Sequence, residues 1–405
     1  MVDTREPALP FSRFLFPHVF RSFRMAIQPS KLIVSFGAVA AICLAGWLLD
    51  LSRTVIAVDS PGFAGYGQFV PGRITELDLY VSSKPQLQEL LDSPPVESRR
   101  VGVFATLCRF CAVQCRWGNV PACFHAMIWA LTYHTLYSIV FLAVVFLALS
   151  LAGGMLCRMT ALQFAQDRRL GLAEAWRFSC DRIASFVSAP IGPLVIAVLL
   201  GLPTVAIGAL GNIPVVGELL TGLLFPLALV AGPFIAILLI GLAAGLNLMS
   251  PAIAYEDSDF FDAISRAFSN VYTRPWRMGF YTFLAAIYGA ACYLFVRFFA
   301  FVALWTTHAF LQLGLRNEKL DAIWSTPSFA DLLGAACAPD TWSLRLAAFL
   351  IRIWGLVVIG LTISFIVSFH FSANTIIYAL MRNRVDGTAI DEVYVATEES
   401  TQTSA

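Results

Sequence analysis

The stretch LLTGLLFPLALVAGPFIAILLIGLAAGLNLM, residues 219–249, contains no Asp, Glu, Lys or Arg. A membrane-spanning helix needs about 20 consecutive, mainly apolar residues. At about 1.5 Å per residue this run is longer than the hydrocarbon core is thick, so its helix must tilt, kink or protrude. Pro226 and Pro233 offer points for a kink. The run is continuous, whereas a barrel strand alternates over about ten residues, so a helix is expected.

Five more runs qualify as spans: 32–51, 128–157, 186–210, 278–310 and 344–381. The expected fold class is therefore all-α, a polytopic membrane helical bundle of six transmembrane helices. Composition agrees. The chain is 58% hydrophobic and 13% charged, against roughly 25% charged residues in soluble domains. A net charge of +1 leaves no basic excess to neutralise phosphates, which excludes a nucleic-acid partner. The first run begins only at Leu32, and no small-residue cleavage site follows it. It is expected to be a retained anchor.

Flanking Lys and Arg set the expected orientation. One side collects Arg5, Arg13, Arg21, Arg24 and Lys31, then Arg158, Arg168, Arg169, Arg177 and Arg182, then Arg266, Arg274 and Arg277, and finally Arg382 and Arg384. The short opposite loop 211–218 has none, and the later one has Arg316 and Lys319. Both termini are thus expected in the cytoplasm of a bacterium and the spans in its inner membrane. Segment 52–127, with short helices, and loop 311–343 are expected outside.

Three cytoplasmic amphipathic segments are expected, at 1–31, 158–185 and 250–277. In the second, Leu172, Trp176, Cys180, Ile183 and Val187 form the apolar stripe. In the third, Phe261, Ile264, Phe268 and Val271 lie opposite Asp262, Arg266 and Asn270. Such helices either lie in the membrane interface or pack on the span ends. The three units of amphipathic segment and spans suggest duplication, as does a faint likeness between 150–159 and 241–250. Small residues every fourth position (Gly37, Ala41 and Ala45; Gly241 and Gly245; Ala285 and Gly289) mark expected helix contacts. The tail, 382–405, is polar and acidic and is expected to be disordered.

Cys108, Cys111, Cys115 and Cys123 occur as C-x2-C-x3-C-x7-C. Three readings stay open. Cys108, Cys111 and Cys115 share a helical stripe with Phe104 and Leu107, which favours simple packing. A disulfide involving Cys123 or Cys337 is a second reading. A metal or redox site is the weakest, because the paired knuckles of a zinc site are missing. Glycine-rich 61–69 reads as a loop. Glu256, Asp257 and Asp259 read as a helix start, with Asp257, Ser258 or Asp259 capping it, ahead of a divalent-metal site.

Two stretches, GGMLCRMTALQFAQDRRLGLAEAWRFSCDRIASFVSAPIGPL (153–194) and SPAIAYEDSDFFDAISRAFSNVYTRPWRMGFY (250–281), resemble a family of multi-pass membrane proteins associated with planctomycete-type bacteria. More loosely, the arrangement is similar to the membrane domain attached to some glycerophosphodiester phosphodiesterases, whose catalytic domain has no counterpart here. The resemblance implies a multi-pass membrane protein and transfers no reaction and no functional residue.

No H-E-x-x-H, G-x-S-x-G, Walker or G-x-G-x-x-G signature occurs. No enzyme activity and no cofactor is expected. The unusual residues are charges inside spans, each costing several kcal/mol at mid-bilayer, roughly 2.5–3.5 on insertion scales. Arg297 lies in the fifth span and Arg345 and Arg352 in the sixth, where His370 and Asn374 extend the same face. The first reading is snorkelling or structural pairing, with Asp50, Glu218, Asp321 and Asp331 as possible counter-charges. The second is a binding role, a cationic pocket of Arg297 and Arg352 for an anionic headgroup or carboxylate. The leading function is a non-enzymatic membrane-organising, lipid-interacting or accessory subunit. Its expected partners are membrane lipids and either a membrane protein or a second copy of the chain. The alternative is a transporter or permease for a small anionic or amphipathic solute.

Overall fold

A computed structural model of the chain describes residues 16–58, 74–93, 95, 98–116, 120–334 and 341–394. Outside these lie 1–15, the glycine-rich 61–69, Cys337 and 395–405, together with the Cys115 side chain. Helices dominate. In chain order they are α1 (Arg21–Ala26), α2 (Pro29–Leu49), α3 (Glu76–Ser82), α4 (Lys84–Asp92), α5 (Val103–Arg116), α6 (Val120–Tyr133), α7 (Thr135–Gln166), α8 (Leu172–Asp181), α9 (Ile183–Leu210), α10 (Val216–Glu256), α11 (Phe260–Thr273), α12 (Pro275–Gly314), α13 (Asn317–Ile323) and α14 (Trp342–Val385).

Six of them, α2, α7, α9, α10, α12 and α14, are long and apolar enough to span a membrane. Their flanks are exposed in the isolated chain: Leu219, Leu223, Phe234 and Phe299 are among many large apolar side chains left open. Water cannot cover so much apolar surface without cost, so lipid must. The protein is a multi-pass, all-α membrane protein.

The chain divides into two units, Gly37–Ala148 and the remainder. The first holds a feature the sequence reading missed. Beside its short helices lies an antiparallel three-stranded sheet, order β2-β1-β3, made of β1 (Val55–Val58), β2 (Ile74–Thr75) and β3 (Arg99–Val101). Asp50 caps α5 there, accepting the backbone N–H groups of Phe104 and Ala105, each at 2.8 Å, and the Tyr137 hydroxyl at 2.8 Å. It serves this helix end, not an intramembrane arginine. The apolar run at 128–157 is not one helix. α6 ends at Tyr133, α7 begins at Thr135, and α7 runs on to Gln166.

In the second unit one apolar core takes residues from α7, α10 and α14, with Met159, Met249, Ile253, Ile376 and Tyr378 buried. Small and hydroxylated residues bring the backbones close, as bilayer packing favours. Thr160 and Ser372 hydroxyls pair at 3.2 Å, and Ser368 donates to Ala26 O at 2.8 Å. A Cβ on Gly154 would stand 2.6 Å from the Ser179 hydroxyl oxygen, so the close approach of α8 requires glycine. Gly245 packs against Ala267, whereas a Cβ on Gly37 would meet nothing within 4 Å among the described residues.

In α8 the positions buried against protein are Ala175 and Ser179, while Leu172, Trp176 and Cys180 of the apolar stripe are exposed, as a face toward lipid would be. In α11 Asn270 is buried with Ile264 and Val271, and Phe261 is exposed. Asp259 occupies the N-cap position of α11 without a side-chain cap bond. The tail is not disordered from residue 382. Helix α14 continues to Val385, Val393 is buried, and Tyr394 N–H donates to Tyr255 O at 3.0 Å.

Candidate functional site

Helices α10, α12 and α14 enclose a cavity of about 330 Å³. Small side chains on one face of α12 make the room: Ala285, Ala286, Gly289 and Ala290 recur at helical spacing. A Cβ on Gly289 would stand 2.5 Å from Phe369 Cε1, so the glycine sets how closely α14 approaches. Phe365, Ile366 and Phe369 supply apolar wall from α14. Ala286, Ala290, Ile366 and His370 are exposed, so the cavity opens on the outer surface of the helices.

Its polar groups are few and uncharged. Asn374 is 7% exposed. It sits one turn from His370, and its amide nitrogen lies 3.2 Å from the ring Nε2, able to donate to a neutral imidazole. Asn247 of α10 and Thr282 and Tyr293 of α12 complete the set. The apolar lining with a handful of convergent polar groups is the usual chemistry of a ligand pocket, and the volume is at the lower end of the ~300–1,000 Å³ range.

The arginines do not converge on this cavity. Arg297 spends its guanidinium on the loop after α13, donating to Phe329 O at 3.1 Å and Ala330 O at 3.3 Å and lying over the Phe329 ring at 5.2 Å. It touches the cavity only through Tyr293, whose hydroxyl is 3.4 Å from its Nη1. Arg345 and Arg352 are exposed on α14, and neither lines the cavity. The structure therefore joins His370 and Asn374 in one site and does not build the cationic pocket of Arg297 and Arg352.

The cysteines are scattered in character. Cys108 is exposed, and Cys111 and Cys123 are half-buried. Among the described residues no group of three or more His, Cys, Asp or Glu is placed to hold a metal. The carboxylates around 256–259 are taken by arginines. Glu256 meets Arg266 Nε at 2.6 Å and Arg382 Nε at 3.1 Å, and Asp257 meets Arg182 Nε at 2.9 Å.

Sequence reading missed Asn247, Thr282 and Tyr293, which are single polar residues in apolar runs. It also missed Lys31, which is fully buried and donates to Gln163 Oε1 at 3.0 Å. A polar residue in an apolar run was the available signal, and Lys31 was obscured by its position in a basic flank. No family model, no curated protein and no solved structure matches this chain.

Proposed function

We propose that the chain is a non-enzymatic, lipid-interacting protein of a bacterial inner membrane that holds a phospholipid in the cavity between α10, α12 and α14. The observation that carries this reading is the cavity's form, apolar in its walls, polar at His370 and Asn374, and open on a surface built from membrane spans. Counted from the nearer helix ends, Asn247, Thr282 and Asn374 lie about 10–16 Å deep at ~1.5 Å per residue. A lipid ester or hydroxyl at that depth meets the polar edge formed by His370 and Asn374, and its acyl chain lies along Phe365 and Phe369. An unmet polar group in hydrocarbon is costly, which favours such a ligand. Accessory partners, a membrane protein or a second copy, fit the exposed span faces.

Filling the cavity tests the reading. Ala286→Phe should displace most of the phospholipid that the wild-type chain carries through detergent exchange, as counted by native mass spectrometry. Because Ala286 is exposed, the lipid-free melting temperature should stay close to wild type, as surface changes shift stability within about 0.5 kcal/mol. Equal phospholipid retention in the variant contradicts the proposal.

In the proposed topology both termini and α11 are cytoplasmic, following the charge asymmetry of the connections. Ser82, Ser265 and Ser328 are exposed in the structure. With the native cysteines replaced, single cysteines at 82 and 328 should react with an impermeant maleimide in cells whose outer membrane is permeabilised. A cysteine at 265 should react only after the inner membrane is opened. Labelling of 265 in intact cells reverses the topology.

A further inference from the structure

A second cavity, of about 520 Å³, is polar in lining and lies between α1 and the last turn of α7. Arg21 and Arg24, three residues apart on α1, both line it. Neither guanidinium has a hydrogen-bond or carboxylate partner among the described residues. A neighbouring cavity of about 190 Å³ is lined by Lys31 and Arg169. Gln163 borders both cavities.

Gln163 is 7% exposed and Lys31 is 0% exposed. The Gln163 side-chain oxygen accepts from Lys31 Nζ at 3.0 Å. Its amide nitrogen then has no acceptor among the described residues, and Gln163 lines both cavities. Lys31 carries three donors, and among the described residues its one acceptor is Gln163 Oε1, with no carboxylate bonded to it. A lysine buried without a counter-charge favours its neutral form, and an anion nearby would favour the charged one.

We propose that this bay binds a phosphate group, gripped by Arg21 and Arg24 and met from within by the Gln163 amide, which links the anion to Lys31. Two guanidinium groups on adjacent turns suit the planar, bidentate recognition of phosphate oxygens. His18, beside Arg21, is held below its usual value by burial and by that guanidinium, so it is neutral at pH 7 and adds no charge. Asp167 and the carbonyl end of α7 line the opposite side and repel an anion. They confine the phosphate to the arginine side. The same chemistry serves a lipid headgroup with an exposed phosphate or a soluble phosphate ester.

This site is separate from the phospholipid cavity, and each is tested without the other. The full chain is placed in phosphatidylcholine nanodiscs with and without phosphatidic acid, and separately in detergent with inorganic phosphate against chloride at equal ionic strength. Thermal melting reads the binding. Arg21→Gln with Arg24→Gln should weaken binding of the phosphate-bearing probe on the order of tenfold or more, since both charged contacts are lost. Arg21→Lys with Arg24→Lys should lose less. Both positions are exposed, so these variants should fold, and Ala286→Phe should bind as wild type does. A response to phosphatidic acid alone assigns a lipid headgroup, and a response to inorganic phosphate as well assigns a soluble source. No response to either probe, or equal affinity in the double glutamine variant, overturns the site.

Discussion

Glu256→Ala should cost about 3–5 kcal/mol of stability, the range seen when one partner of a buried ion pair is removed. The Glu256 side chain is 9% exposed and sits between Arg266 and Arg382, with the Tyr378 hydroxyl donating to its Oε1 at 2.7 Å. One carboxylate thereby joins α10, α11 and α14. Arg382 is itself 11% exposed at the side chain, so removing Glu256 strands a largely buried guanidinium. Arg266 is 38% exposed and can turn to water or to Asp262, so most of the loss comes from Arg382. Melting in detergent measures the effect. Combining Glu256→Leu with Arg382→Met should recover the part due to the stranded guanidinium, because an apolar pair carries no desolvation cost, while the Tyr378 hydroxyl and the Glu392 carbonyl still lose their partners. A drop below about 1 kcal/mol in Glu256→Ala, the scale of an exposed salt bridge, contradicts the role given to this carboxylate.

Arg158→Ala should loosen the Tyr394 end of residues 386–394, which Arg382 and the Tyr394 N–H still tether. Arg158 donates to Ala254 O at 2.8 Å and to Tyr394 O at 2.9 Å, and its guanidinium lies 4.7 Å from the Phe178 ring centroid. Hydrogen bonds to a charged group contribute about 1.5–3 kcal/mol each, so losing both amounts to about 3 kcal/mol or more. Arg382 holds the same segment by donating to Glu392 O at 2.6 Å, so detachment should be local and the spans should persist. Limited trypsin digestion should cut after Arg384 much faster in the variant than in wild type. Equal cleavage rates mean that Arg158 does not anchor the segment.

The spans were legible because apolar length and continuity report directly on the bilayer. Their ends were not. An apolar run stops where lipid contact stops, whereas a helix stops where its backbone bonds do. Helix α7 therefore runs past Cys157, through buried Arg158 and Gln163, to Gln166. The docked tail was hidden for a related reason. Its composition is polar, but what holds it is Arg158 and Arg382 meeting backbone carbonyls, and backbone acceptors leave no mark in a sequence.

The site was half legible. His370 and Asn374, four residues apart, fall on one helical face, and the structure pairs them. Extending that stripe back to Arg345 and Arg352 failed, because the cavity is local to 365–374 and ends well before those residues. Arg297 was rightly marked as unusual inside a span, yet its partners are the carbonyls of Phe329 and Ala330, which no side-chain pattern reveals. Lys31 was read as one more flanking charge, and only three-dimensional packing against α7 shows it to be buried.

The most direct test is a cryo-EM reconstruction of the full chain in phospholipid nanodiscs. Elongated density should fill the cavity between α10, α12 and α14, with its polar end within hydrogen-bond distance of Asn374 and its tail against Phe365 and Phe369. A cavity closed by those side chains, or one left empty while lipids around the spans are resolved, would contradict the proposal.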